Sequence, residues 1–183
     1  MKVTFISTVP ASSLSQVALD LKREFDLPLE LKIYYPRQID EEDVDEKLLL
    51  EELKRSDAVF IDIRGEGRAS DVVYDALKAE KNIVVNLSSP FSKIMKITRL
   101  GTFSGSEMAD RIKPGAIRDP EEVWKKLHLE SAAKSVSAGP MKDVRSFVKI
   151  ARYWRYGGRE NYRNLLLYFM KEYLERDLPE AKD

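Results

Sequence analysis

The sequence predicts an α/β fold: a Rossmann-like or flavodoxin-like parallel sheet of four to five strands with helices on both faces, plus a C-terminal helical hairpin. Three features carry that expectation. Strand-like apolar runs alternate with amphipathic stretches through the first half of the chain. Those runs are nearly continuous in Val, Ile and Phe, the pattern of parallel strands buried on both faces. Two amphipathic helical stretches then close the chain, meeting at the pair Gly157 and Gly158.

Residues 2–8, KVTFIST, form the first strand-like run. Ser12 or Ser13 is placed to cap a following helix whose apolar positions Leu14, Val17, Ala18, Leu21 and Phe25 recur at helical spacing. LELKIYY (29–35) alternates as a second strand and ends at Pro36. Asp40 opens an acidic first turn, favourable at a helix N-terminus, and Val44, Leu48, Leu49 and Leu53 form the expected inward stripe. AVFIDI (58–63) is a third strand, stopped by RGEGR. Ser70 is placed to cap a helix bearing Val72, Val73, Ala76 and Leu77, and NIVVNL (82–87) is the fourth strand.

After residue 90 the pattern loosens. A fifth strand is expected at about 94–98, within a glycine-bearing loop region. Asp119, Pro120, Glu121 and Glu122 signal a helix start. The expected organisation is an α/β domain over 1–134 and a small-residue linker over 135–141. A helical hairpin over 142–176 then packs on the same domain. Its helices run over 142–156 and about 159–175. Inward positions are Val144, Phe147, Val148, Ala151 and Trp154 on the first, and Tyr162, Leu165, Leu166, Phe169 and Tyr173 on the second.

The 183 residues contain no Cys, which excludes disulfides and thiolate chemistry. No apolar run approaches the ~20 residues of a membrane span, and the N-terminus lacks the plan of a signal peptide. A cytoplasmic location is therefore expected. Formal net charge is zero, but it divides unevenly. Residues 1–90 carry 12 Lys and Arg against 18 Asp and Glu, and the remainder carries 19 against 13. Such asymmetry suits either an anionic partner or steering within the chain.

In an open parallel sheet, ligands bind beyond the carboxyl ends of the strands. Ser7, Thr8, Arg64, Gly65, Ser88 and Ser89 end strands there and are the candidate ligand contacts. The loop STVPASS (7–13) could hold phosphate at a helix N-terminus, or its serines could simply cap that helix. GEG after the third strand is not the dinucleotide fingerprint, which needs a third glycine and follows the first strand. Asp62 lacks the acidic pair that a phospho-acceptor site would require. His128 is the only histidine, with no partner at ligand spacing, so no metal site and no catalytic constellation is expected. Arg145, Lys149, Arg152 and Arg155 line one face of a helix near Tyr153, Tyr156 and Tyr162. Nucleic acid can use such a surface, but an amphipathic helix exposes a polar face in any case. Nucleic acid is accordingly not an expected partner, nor is a membrane.

The segment WRYGGRENYRNLLLYFMKEYL (154–174) resembles the stretch that closes the N-terminal domain in the family of cobaltochelatase and magnesium chelatase large subunits. Gly157, Gly158, Glu160 and Asn161 carry the resemblance, with Asn164, Leu165, Leu166 and Tyr168 following. SDAVFIDIRG (56–65) and LGTFSG (100–105) resemble that family in order, although RGEG stands where many members have a His- and Gly-rich loop. The resemblance implies a part in tetrapyrrole metallation, as an N-terminal fragment or a stand-alone relative. Its partners would be the remainder of the large subunit or other chelatase subunits, and a tetrapyrrole. The family reaction would use ATP and cobalt or magnesium; none is expected to be bound by this chain, which is not expected to be catalytic alone. Two other readings stay open: an interaction module docking through its basic hairpin, and a flavodoxin-like nucleotide binder. Physically, the Gly-Gly pair reads as a helix–helix corner in which one glycine takes a left-handed conformation.

Overall fold

The computed structural model describes residues 1–87, 93–101, 140–174 and 177–182. Four strands form the sheet: β1 (Lys2–Ser7), β2 (Glu30–Tyr34), β3 (Ala58–Asp62) and β4 (Ile83–Asn86). They lie in the order β2-β1-β3-β4, every neighbouring pair parallel. The helices are α1 (Ser12–Glu24), α2 (Pro36–Asp40), α3 (Glu46–Arg55), α4 (Arg68–Leu77), α5 (Pro140–Tyr156) and α6 (Gly158–Tyr173). A 3-10 helix covers Lys93–Ile97.

Side chains alternate across the sheet and build two cores. On one face Val3, Phe5, Ala58, Phe60 and Val85 pack with α1, α5 and α6. On the other, Ile6, Val59, Ile61 and Val84 pack with Leu49 and Leu53 of α3 and Val73, Ala76 and Leu77 of α4. Strand β3 sits centrally and is buried throughout, which explains its unbroken apolar run. Strand β2 is an edge, and it exposes Glu30 and Lys32 as edge strands commonly do. The helical hairpin shares the first core and packs along α1.

Several local expectations need correction. The N-cap of α1 is Ala11 with no side-chain cap, so Ser12 and Ser13 lie inside the helix instead of capping it. Ser70 sits at the third position of α4. Its hydroxyl donates to the Gly67 carbonyl (2.8 Å) and accepts from the Gly67 N–H (3.2 Å). Asp40 ends α2 and does not open the next helix; Asp45 caps α3, accepting from the Leu48 N–H at 3.1 Å. Leu48 is 60% exposed and leaves the inward stripe, because Leu49 and Leu53 alone face the sheet fully.

The stretch 94–98 is not a strand; the 3-10 helix occupies it. The outer edge of β4 is covered a little later, where Leu100 bridges Val85 in parallel. The Asn86 N–H donates to the Leu100 carbonyl (2.8 Å) and the Leu100 N–H to the Val84 carbonyl (3.0 Å). Helix α5 starts at Pro140, inside the stretch read as linker. The helix signalled by Asp119 and Pro120, and His128 with it, lies outside the described residues.

Gly101 follows that bridge for a steric reason. A Cβ there would lie 2.7 Å from Thr98 Cγ2. Thr98 is buried and its hydroxyl is donated to the Ile94 carbonyl at 2.8 Å, so it cannot simply turn away. Gly101→Ala is expected to cost about 1–3 kcal/mol as an overpacking change. Thermal unfolding followed by circular dichroism should show the melting temperature falling by several degrees; an unchanged value would show that the edge has room to relax.

Candidate functional site

The strand order places β1 beside β3, with their connections leaving in opposite directions. That is the switch point where doubly wound sheets bind ligands. Ser7 and Asp62 are register partners at its mouth. The Ser7 hydroxyl is buried and donates to the Val9 carbonyl at 2.7 Å. Thr8 is exposed, and its backbone N–H (2.9 Å) and hydroxyl (2.7 Å) both donate to the Asp62 carbonyl, stitching the two strand ends together. Arg64 projects from the loop after β3 with its Nε 3.7 Å from Asp62 Oδ1. Gly65 follows with φ +108°, open to solvent. The structure thus gathers Ser7, Thr8, Arg64 and Gly65 at one crevice. Ser88 and Ser89 lie outside the described residues.

Three residues that matter most here were not among the sequence candidates: Asp62, Trp154 and Tyr162. Asp62 occupies the last inward position of β3 and is 3% exposed. Trp154, in the last turn of α5, donates its indole N–H to Asp62 Oδ2 at 3.3 Å. Its ring lies on Phe5 (centroids 5.6 Å apart, planes at 21°) and meets Tyr162 of α6 at 5.5 Å. The crevice is therefore roofed by the chain's own hairpin. The available signal was an acidic residue ending a wholly apolar strand, but its partner stands 92 positions away.

Burial raises the Asp62 carboxyl above the ordinary aspartate value; the Trp154 hydrogen bond and the Arg64 charge offset part of that rise. Burial outweighs the other two effects on magnitude. One hydrogen bond to a charged group contributes about 1.5–3 kcal/mol, whereas dehydrating an ion costs several kcal/mol. Arg64, largely exposed, adds a screened attraction only. Burial, followed by the charge of Asp62, also raises the Tyr162 hydroxyl.

The glycine corner is built onto this roof. Gly157 ends α5 by donating its N–H to the Tyr153 carbonyl at 3.0 Å, with φ +59° and ψ −163°. Gly157 thus combines a positive φ with an extended ψ; a left-handed conformation is expected of one glycine of the pair, and both have positive φ. Gly158 opens α6 at φ +79°. Asn161 donates its amide to the Gly157 carbonyl at 2.7 Å, while Glu160 is exposed, 3.9 Å from Lys182.

Neighbouring features limit what the crevice can hold. A helix N-terminus is the usual seat for a phosphate, yet at α4 the Ala69 N–H already donates to the Asp40 carboxylate at 2.8 Å. Among the described residues, no group of three or more His, Asp or Glu is placed to hold a metal, and no helix is long and apolar enough to cross a membrane. In the hairpin, Lys149 lies over the Tyr168 ring at 5.1 Å. Arg159 and Arg163 pair with Asp20 and Glu24 of α1 at 2.5 and 2.8 Å. Part of the positive charge of the second half is thus matched by the acidic first half.

Fold and site together define a Rossmann-like α/β protein whose switch-point carboxylate is sealed by a C-terminal helical hairpin. The chain matches, over residues 2–155, the family model described as a domain of unknown function, DUF3479, and it belongs to that family. The match ends before Gly157, so the Gly-Gly-x-Glu-Asn corner lies beyond it. No curated protein matches the chain significantly.

The carboxylate and the corner can each be tested by substitution. In the folded state the Asp62 proton is held to higher pH than in the unfolded chain. Its stability contribution is therefore fully present below the ordinary aspartate value, about 3.9, and is lost as pH rises through the folded value. Asp62→Asn keeps an acceptor for Trp154 and cannot ionise. The variant should melt higher than the native protein at pH 7, with the gap closing toward pH 3; a lower melting point at pH 7 would refute the assignment. At the corner, Gly157→Ala should cost about 1–3 kcal/mol, since its φ and ψ are open almost only to glycine and a Cβ would sit 3.3 Å from the Tyr162 hydroxyl. A Cβ on Gly158 meets nothing within 4 Å, so Gly158→Ala should cost less. Equal losses in urea denaturation would contradict this ranking.

Proposed function

We propose that the chain is the N-terminal α/β domain of a cobalt- or magnesium-chelatase type large subunit, as a fragment or a stand-alone relative. Its part is tetrapyrrole handling, or closure against the remaining body of such a subunit, during metal insertion into a corrin or porphyrin. The observation that carries the reading is the corner Gly157, Gly158, Glu160 and Asn161, whose sequence resembles the segment closing that domain. The geometry is in keeping with it: two positive-φ glycines and the Asn161 amide set α6 back along α5, over the carboxyl ends of β1 and β3. Membership of the DUF3479 family is compatible with this reading and names no activity.

ATP and the inserted metal would be held by the rest of the subunit or by partner subunits. Asp40 on the N-terminus of α4 and Trp154 over the switch point favour this division over a flavodoxin-like nucleotide site. Titration of the purified chain with protoporphyrin and with a cobalt-free corrinoid, followed by absorbance, tests the assignment. A saturable shift of the pigment bands with either is the expected result. Unchanged spectra with both would overturn tetrapyrrole handling.

A further inference from the structure

The roof over the switch point has the form of an occupied slot. Phe5 supplies its floor, Tyr162 a side wall, and Asp62 a buried acceptor. What fills it is a flat bicyclic heteroaromatic ring presenting one ring N–H to that acceptor, and this ring belongs to the chain itself. We propose that the β1/β3 crevice is a binding slot for a flat heteroaromatic molecule carrying a ring N–H, and that Trp154 is its resident occupant, displaced when such a molecule binds. The proposal is independent of the metallation reading.

Two structural features suit Trp154 to leaving. It lies in the final turn of α5, which ends two residues later at Tyr156 and is closed by the Gly157 N–H donating to the Tyr153 carbonyl. Helix ends open locally at far lower cost than helix centres. The two positive-φ glycines that follow can absorb the backbone change, as hinge positions do. The hairpin's hold on the sheet would persist, because Leu165, Leu166 and Phe169 anchor the middle and later turns of α6. Asp62 supplies the selectivity. Once the indole leaves, the carboxylate is left without its buried donor, and only a ligand with a donor at the same point restores one. A purely apolar ring would fill the space and leave the carboxylate unmatched.

Indole and 1-methylindole, which lacks the ring N–H, are the probes. In 15N-labelled native protein, the Trp154 indole N–H resonance, assigned with Trp154→Phe, should move saturably toward its solvent-exposed position as unlabelled indole is added. Binding of 1-methylindole should be weaker by about tenfold or more, the equivalent of one hydrogen bond to a charged acceptor. Trp154→Ala, with the slot already empty, should bind indole at least about tenfold more tightly than the native protein does and gain melting temperature from it. Equal affinity for the two probes overturns the ring N–H selectivity. A native resonance that stays fixed while the variant binds indole overturns displacement, leaving only a cavity made by the mutation. If the variant does not fold, the native titration decides alone.

Discussion

The structure depends on a column of aromatic rings that runs through one face of the sheet. Phe5 of β1 and Phe60 of β3 are register partners whose rings stack at 4.5 Å. Trp154 of α5 lies on Phe5 at 5.6 Å, and Phe169 of α6 meets Phe60 edge-on at 4.9 Å. Tyr173 extends the column from Phe169 at 5.4 Å. Each contact adds about 0.5–1.5 kcal/mol beyond the area it buries, and burying each side chain contributes about 1.5–3 kcal/mol. The contacts of Trp154 and Phe169 with the strands join opposite ends of the chain. They make the hairpin a wall of the domain core and not an appendage.

The buried carboxylate follows from that column by geometry. Residues of a strand alternate between faces, so Ala58, Phe60 and Asp62 all point toward α5 and α6. With Trp154 fixed above Phe5, the next position beyond Phe60 on the same face must lie under the hairpin. An apolar residue would suit that place better. The aspartate is tolerated because the indole N–H reaches it and the Arg64 guanidinium stands at the open side. The ion pairs of the hairpin act on a smaller scale. Arg159–Asp20, Arg163–Glu24 and Arg99–Asp143 are exposed or partly so, and such pairs contribute about 0–1 kcal/mol each. The first two select the orientation of α6 against α1 more than they hold it there.

The sheet was legible in the sequence because burial on both faces forces continuous apolar runs, as in AVFID of β3, and glycine or proline marks where they stop. Caps were less legible. Ser12, Ser13 and Ser70 have the chemistry of N-caps, yet Ala11 and Gly67 take those places, and α4 receives its carboxylate from Asp40, 29 residues upstream. A cap can come from any element that packs nearby, and local sequence does not record that. The fifth strand failed for a related reason. The Ile94 and Met95 side chains are buried in a 3-10 helix, and the chain meets the edge of β4 only afterwards, at Arg99 and Leu100 among the described residues. At the candidate site, Ser7, Thr8, Arg64 and Gly65 could be placed because strand ends can be counted. Asp62 could be seen but not weighed, because its partners Trp154 and Tyr162 come from the far end of the chain.

The pair Gly157–Gly158 fits into this account as a consequence of where α5 has to stop. Trp154 must lie in the last turn for its N–H to reach the end of β3, and α6 must then return at once so that Tyr162 closes on the indole. A side chain at Gly157 would press on the Tyr162 hydroxyl at 3.3 Å, and the conformation there is one that residues with a Cβ rarely adopt. Any looser corner would move Tyr162 away from Trp154 and admit water to the Asp62 carboxylate. Water there would bring the carboxyl back toward its ordinary aspartate value, since burial is the main cause of its rise. The tightness of the corner and the perturbation of the carboxylate are therefore two expressions of one constraint: the hairpin must end directly over the switch point of the sheet.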